Sequence, residues 1–205
     1  MISIESFKKN LSNDFIDKLK IYKNSNYIGL NFESKLLKKI ILELKANEKL
    51  KFNQLIDLTA VDFPSREKRF DIIYLLLSLK LNTRVLLRIS INENENVDSL
   101  YDIFQSSNWY ERECYDLFGI QFNGHPDLRR IMTDYNFEGF PLRKDFPLTG
   151  HNEVRYDHLE EKIVYEPVDL TQEYRDFDNI SPWSGITNEL KGDEKFIEDD
   201  VDEGN

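Results

Sequence analysis

The residues with the most chemical potential lie between Glu111 and Asp145. Glu111-Arg112-Glu113-Cys114-Tyr115-Asp116 crowds three carboxylates, a guanidinium and the only cysteine into six positions. Two carboxylates can act as general acid and base when both aim at one bond. Glu111 and Glu113 are two residues apart, so on a helix they point different ways and do not share a target. The better reading is a cap plus charge pairs that bind neighbouring loops. Arg112 and Asp116, four apart, are spaced to pair on the helix surface. His125-Pro126-Asp127-Leu128-Arg129-Arg130 has residue types that hold metals or phosphates. A lone histidine beside a proline in a loop serves better as a hydrogen-bonding pin. Arg129 and Arg130 can each fork onto a carboxylate, with Asp127 and Asp134 as nearby partners. In Pro141-Leu142-Arg143-Lys144-Asp145-Phe146-Pro147 the prolines stiffen the chain and favour extended backbone. Arg143, Lys144 and Asp145 can then reach a partner surface, and the flanking rings of Phe140 and Phe146 favour that over a plain solvated loop. Cys114 would need exposure and a lowered pKa to be reactive. Only Arg112 argues for that, so a packed core thiol is expected.

The rest of the ligand inventory is short. One cysteine and the three histidines His125, His151 and His158 cannot supply the roughly four ligands that an iron–sulfur cluster or a structural zinc takes from a chain. No glycine-rich dinucleotide or phosphate loop is present. A net charge of -11 is the wrong sign for a nucleic-acid binder or for electrostatic anchoring on anionic lipid. The longest apolar run, Ile72 to Leu77, is far below the ~20 residues of a bilayer span. The N-terminus reads as neither a signal peptide nor an Arg-rich transit sequence, so the chain is expected to work in the compartment where it is made, or to have lost a presequence.

Elements that could position these residues follow from periodicity. Phe7, Leu11, Phe15 and Leu19 recur every four residues, which predicts a helix over residues 3–20. Tyr27 to Phe32 reads as a short strand, and Leu36, Leu37, Ile40, Ile41 and Leu44 predict a second helix. Three strands come next: Phe52–Val61, Phe70–Leu81 and Thr83–Ile91. The second is apolar on both faces and belongs in the middle of the sheet, covered at least in part on both sides. The third alternates Val85, Leu87, Ile89 and Ile91 with polar residues. The short Asn82-Thr83 link makes the last two an antiparallel hairpin. Val97–Gln105 suggests a short helix. Asn108 with Glu111 has the form of a capping box for a helix running to Phe118, with Gly119 at its left-handed C-terminal cap. Helices before strands, with no repeating β-α-β order, predict an α+β fold: N-terminal helices packed on a small, mainly antiparallel sheet. After Gly119 the periodicity stops while aromatics continue, among them Tyr135, Phe137, Tyr156, Tyr165, Tyr174, Phe177 and Trp183. Such rings need a cover, and another protein is the expected one. The division expected is an α+β globular domain over 1–120, a long extended, partner-wrapping segment over 121–190 and an acidic mobile tail over 191–205. From Asp193 to Asn205 the tail carries seven acids against one lysine.

Residues 111–150, ERECYDLFGIQFNGHPDLRRIMTDYNFEGFPLRKDFPLTG, closely resemble the signature of the 30-kDa subunit of respiratory complex I. Tyr165–Val168, Gln172–Arg175 and Phe177–Trp183 also look like this family. Leu58–Asp62 and Arg69–Asp71 match it more loosely, and the first fifty residues match nothing that can be carried over. The resemblance implies a non-redox scaffold subunit in the hydrophilic arm of proton-pumping NADH:ubiquinone oxidoreductase. It implies no cofactor on this chain, with FMN, iron–sulfur clusters and quinone held by other subunits. It also implies contact with the quinone-site (49-kDa type) subunit and the subunit bearing the terminal cluster. Glu111, Arg112, Glu113, Asp116, His125, Asp127, Arg129, Arg130, Asp134, Arg143, Lys144, Asp145 and Trp183 are then structural or interface residues, with none catalytic. The location expected is the matrix side of the mitochondrial inner membrane, or the cytoplasmic side of a bacterial inner membrane. Two alternatives stand beside this reading: the equivalent subunit of a membrane-bound hydrogenase or ferredoxin-dependent complex, and a stand-alone metal-dependent hydrolase using His125, Asp127 and Glu113.

Overall fold

The structure is a computed structural model that describes residues 4–24 and 27–170. Tyr174, Phe177, Trp183, the motifs around them and the acidic tail lie outside the described residues. The main sheet and the helices packed on it belong to one compact unit that ends at Glu166.

Five strands form the main sheet: β1 (Lys20–Lys23), β2 (Tyr27–Phe32), β3 (Gln54–Asp62), β4 (Phe70–Ser78) and β5 (Thr83–Ile91), in the order β1-β2-β5-β4-β3. Only its β2–β5 pairing is parallel, so the sheet is mainly antiparallel as expected. The β4–β5 hairpin runs in unbroken register from Phe70↔Ile91 to Ser78↔Thr83. Its turn is closed by Asn82 at φ 46°, a conformation that asparagine tolerates better than most residues.

The strand alternation sorts the side chains onto two faces. Phe70, Ile72, Tyr74 and Leu76 of β4 and Val85, Leu87, Ile89 and Ile91 of β5 point inward and are buried. The first α-helix of substance, α3 (Leu37–Ala46), lays Leu37, Ile40, Ile41 and Leu44 into the same core. On the opposite face Ile73, Leu75, Leu77 and Leu86 are only half-buried. The double-sided apolar character of β4 therefore reflects one packed face and one half-covered face. Tyr22 lies across Gly29 on the neighbouring strand, where a Cβ would run into its ring.

Three local expectations need correction. Residues 3–20 do not make one helix: α1 (Ile4–Lys9) stops and α2 (Asn13–Ile16) starts afresh, with β1 following. Asn10 turns its side-chain amide onto the Ser6 carbonyl at 2.8 Å, the local competition by which asparagine interrupts helices. Phe7, Leu11 and Leu19 still reach the core, so the apolar stripe held while the helix did not. Val97–Gln105 is not a helix either. It opens with the two-residue strand β6 (Val97–Asp98), parallel to β7 (Phe122–Asn123), and buries Leu100 and Phe104 through turns. Finally, the late segment contains a hairpin, β8 (Asn152–Asp157) with β9 (Lys162–Pro167). Its turn lacks Gly and Asn and places Glu161 at φ 51°, so the usual turn signal is missing from the sequence.

The last helix among the described residues, α4 (Ser107–Phe118), closes the open edge of β3. Tyr110 donates its hydroxyl to the Ile56 carbonyl at 2.7 Å, and the Cys114 thiol lies 3.8 Å from the Leu58 carbonyl. Covering an edge strand in this way removes a template for unwanted strand pairing.

Candidate functional site

Helix α4 carries the residues singled out by sequence and divides them among three directions. Glu113 faces solvent, as does Trp109. Cys114 faces β3 and is buried, and burial, followed by the charges of Glu113 and Glu111, pushes its thiol up. The helix starts from Ser106, whose side chain makes no capping bond, and ends at Gly119 with φ 78°. The Gly119 N–H bonds the Tyr115 carbonyl at 2.8 Å, which is the left-handed cap expected.

Asn108, Arg112 and Asp116 are spaced four apart and so form one stripe along α4. Residues 125–133 run beside that stripe as a strap. At its start, His125 Nε2 lies 3.2 Å from the Asn108 carbonyl. In the middle, Arg112 donates Nε to the Arg129 carbonyl at 3.1 Å and Nη2 to the Arg130 carbonyl at 3.0 Å. At the end, Asp116 Oδ2 accepts the consecutive backbone N–H groups of Ile131, Met132 and Thr133 at 2.9, 2.6 and 2.9 Å. Its Oδ1 accepts the Thr133 hydroxyl at 2.5 Å and Arg130 Nη1 at 2.8 Å. Burial by itself would raise the Asp116 carboxyl. The Thr133 hydroxyl, the backbone N–H groups and the Arg130 guanidinium outweigh it and hold the group well below the usual carboxylate range.

This geometry revises the pairings. Arg112 and Asp116 do not meet each other; each binds the strap. Arg129 does pair with Asp127, at 3.0 Å on the surface. Arg130 takes Asp116 instead of Asp134, and Asp134 accepts the Tyr165 hydroxyl at 2.9 Å. Glu111 caps nothing. It is fully buried and accepts the Ser99 hydroxyl at 2.6 Å and the Leu100 N–H at 2.7 Å, so it fixes the turn after β6 against α4. Burial holds its carboxyl above the ordinary range, against the lowering effect of Ser99, Leu100 and His125.

A second knot docks the Pro141–Pro147 stretch onto the end of the sheet. Arg69 grips buried Asp62 with two bonds, 2.8 and 3.0 Å, and reaches Glu93 at 3.2 Å and Asp145 at 2.9 Å. Lys144 enters through its backbone N–H, 2.8 Å from Asp62 Oδ2, while the residue itself is exposed. The Arg69 bonds, ahead of the opposing burial and the Lys144 N–H, lower the Asp62 carboxyl. Arg143 donates to the Phe118 carbonyl and to Glu93, both at 2.6 Å, and lies over the Phe140 and Phe70 rings. It thereby satisfies a helix-end carbonyl that α4 leaves unpaired. Leu142 N–H does the same for the Leu117 carbonyl at 3.1 Å. Arg143 and Asp145, read from sequence as reaching for a partner, are bound within this chain. Sequence reasoning missed Asp62, Arg69, Glu93 and Ser99. Asp62 and Arg69 did lie in the two segments of looser resemblance.

The groups of the hydrolase alternative do not converge. Glu113 is exposed, Asp127 pairs with Arg129, and the buried His125 ring spends both nitrogens on the Asn108 carbonyl and the Asp127 N–H. Among the described residues no group of three or more His, Cys, Asp or Glu is placed to hold a metal ion.

A profile of the family described as respiratory-chain NADH dehydrogenase, 30 Kd subunit, matches residues 30–152. The chain is 57% identical over 152 residues to an NADH-quinone oxidoreductase subunit of Ruegeria pomeroyi, covering 74% of this chain and 76% of that protein. It is 51% identical over 170 residues to the subunit of the same name from Rickettsia felis, covering 83% and 82%. Among solved structures, a chain of the membrane-bound sulfane sulfur reductase, an archaeal respiratory membrane complex, aligns with a TM-score of 0.60 at 21% identity over 70% of this chain and 85% of that one; this likeness concerns the fold. With the family profile spanning β3, β4, β5, α4 and the strap, and relatives above 50% identity across most of their length, the chain belongs to the 30-kDa subunit family of respiratory-chain NADH dehydrogenase.

Proposed function

We propose that this chain is a non-redox scaffold subunit of the peripheral arm of a proton-pumping NADH–quinone oxidoreductase, and that it holds the quinone-site subunits in register. NADH oxidation, the FMN and iron–sulfur relay and quinone reduction then belong to other chains. The partners are the quinone-site subunit and the subunit bearing the terminal cluster, on the matrix face of a mitochondrial inner membrane or the cytoplasmic face of a bacterial one. Family membership supports the assembly, and one observation carries the positioning role. In the β8–β9 hairpin the Arg155–Glu166 bond of 2.7 Å puts the charged sides of both strands together. Val154, Tyr156, Ile163 and Tyr165 are left on the other face, each more than half exposed, and Leu159 at the turn is 96% exposed. A two-stranded hairpin is at best marginal in water, and clustered exposed apolar side chains mark contact surfaces. Met132 on the strap, and Tyr135 and Leu148 beyond it, are exposed as well. A partner that covers this surface would be fixed relative to a strap that α4 already immobilises.

The test is Tyr156→Asp combined with Ile163→Asp in the native host. The expected result is loss of assembled complex on a native gel, with normal turnover per complex that does assemble. Normal assembly with selectively lost turnover would overturn the positioning reading.

A further inference from the structure

The rings and guanidiniums packed at the end of α4 form a ladder that stops one rung short. Arg130 lies over the Phe137 and Phe140 rings, 5.7 and 5.4 Å from their centroids. Arg143 lies over Phe140 and Phe70 at 4.5 and 5.2 Å, and Arg69 over Phe70 at 5.3 Å. Each of these cations also bonds a carboxylate: Arg130 takes Asp116, Arg143 takes Glu93 and Arg69 takes Asp62. One arrangement is thus used three times on one patch, a flat cation stacked on a ring while its edge binds an acid. Phe146 is the next ring. It packs on Phe137 at 5.8 Å between centroids and meets the His151 ring edge-on at 5.4 Å. Among the described residues no cation lies over it. Asp145, beside it, is 60% exposed in its side chain and gives Arg69 only Oδ2, at 2.9 Å. Its Oδ1 is left without a bond among the described residues.

We propose that the cleft beside Phe146 is a socket for one arginine side chain of a partner subunit, whose guanidinium stacks on the Phe146 ring and binds Asp145 Oδ1. The partner exists only under the scaffold reading proposed above, while the chemistry of the anchor follows from the cleft. Phe140, Phe146, Pro147 and Asp145 line an open cleft of about 340 Å³, at the small end of the roughly 300–1,000 Å³ of ligand pockets. Arg143 lines it too, but its charge is met by Glu93 at 2.6 Å and its side chain is largely covered. In this knot Asp62, Glu93 and Asp145 outnumber Arg69 and Arg143 by one, so the cleft favours a cation. A lysine would supply the charge without the plane. Only a guanidinium lies flat on a ring and turns N–H groups to a carboxylate at the same time. An aliphatic anchor would cover Asp145 Oδ1 and leave it unpaired, and an acidic one would face a like charge. Arginine seated in a pocket is also a common centre of binding energy at protein interfaces.

The experiment uses the assembled complex from the native host. His151, at the rim of the cleft, is replaced by photo-reactive benzoylphenylalanine, and the peptides cross-linked to it on irradiation are sequenced by mass spectrometry. The expected cross-link is to a segment of another subunit of the oxidoreductase that contains an arginine. Asp145→Asn keeps an oxygen for Arg69 but removes the charge. On native gels run over a salt series it should release this chain about tenfold more readily than wild type, the worth of one charge-assisted bond. Asp145→Arg should release it further, and exchanging the captured arginine for glutamate should restore retention in Asp145→Arg alone. The free Asp145→Asn chain should unfold within about 3 °C of wild type, which separates lost docking from lost folding. No cross-link, a cross-linked segment without arginine, a cross-link only to a second copy of this chain, or an Asp145→Asn complex as salt-resistant as wild type would each overturn the socket and leave the scaffold reading standing. Cross-links confined to proteins outside the oxidoreductase would overturn both. The cross-link keeps Asp145 intact, so it decides the matter even if the Asp145 variants fail to fold.

Discussion

Asp116→Asn removes one charge from α4 without changing the size of the side chain, and its cost can be worked from the bonds it breaks. The carboxylate is fully buried and accepts five hydrogen bonds: three backbone N–H groups on Oδ2, and Arg130 Nη1 and the Thr133 hydroxyl on Oδ1. An amide must point its NH2 either at the three N–H groups or at the guanidinium. The second clash is the smaller, so Arg130 loses its acceptor and is left with an opposing donor. The remaining bonds drop from charge-assisted strength, about 1.5–3 kcal/mol each, toward the neutral ~1 kcal/mol. Allowing for relaxation of the strap, the cost is about 3 kcal/mol, within the usual range for breaking a buried pair. In a chain of this size that lowers Tm by about 9 °C. The assay is thermal unfolding of the full chain followed by circular dichroism, with Glu113→Gln, exposed on the same helix, as a control expected within about 0.5 kcal/mol. The pH dependence has a definite sign. The folded Asp116 carboxyl is depressed, so its contribution is complete well above the unfolded value of about 3.9 and is lost as pH falls through the folded value. The difference between wild type and variant should therefore be constant near neutrality and shrink in acid. A loss under about 1 kcal/mol at neutral pH, or a difference that grows in acid, would refute this account of the strap.

Arg69→Met should cost about 3–4 kcal/mol because it strands the buried carboxylate of Asp62. A double-mutant cycle with Asp62→Asn, read by urea unfolding, should give a coupling of about 2 kcal/mol, and a coupling near zero would show that the Asp62–Arg69 pair does not hold the end of the sheet. The Cys114 thiol, buried and pushed up by desolvation, should resist iodoacetamide in the folded chain at mildly alkaline pH and react only after denaturant is added. Stoichiometric labelling of the native chain, measured by mass spectrometry, would place the thiol outside the core.

Much of the scaffold was legible because its signals are local. The alternation Val85, Leu87, Ile89, Ile91 allowed one strand boundary at each end, and the structure places β5 at Thr83–Ile91. The stripe Leu37, Ile40, Ile41, Leu44 and the cap at Gly119 are equally short-range, each set by the period or φ of a few neighbouring residues. Where a local signal competed with another, the reading failed. The Phe7–Leu19 period concealed the break at Asn10, and the Asn108–Glu111 spacing imitated a capping box although burial claimed Glu111 for Ser99 and Leu100. The hairpin after residue 151 went unseen because its turn uses none of the residues that advertise one.

By itself, then, the sequence determined the α+β class, the mainly antiparallel sheet, the inward face of β5, the buried cysteine and the family. Tertiary structure alone decided which acid meets which base. Arg130 has Asp127 and Asp134 close by in the chain, yet it takes Asp116, which also gathers three backbone N–H groups. Arg143 finds Glu93, fifty residues away, because the sheet end and the helix end converge there. Charge pairs carry no period and tolerate many partners, so their choice is made by which buried groups would otherwise stay unsatisfied.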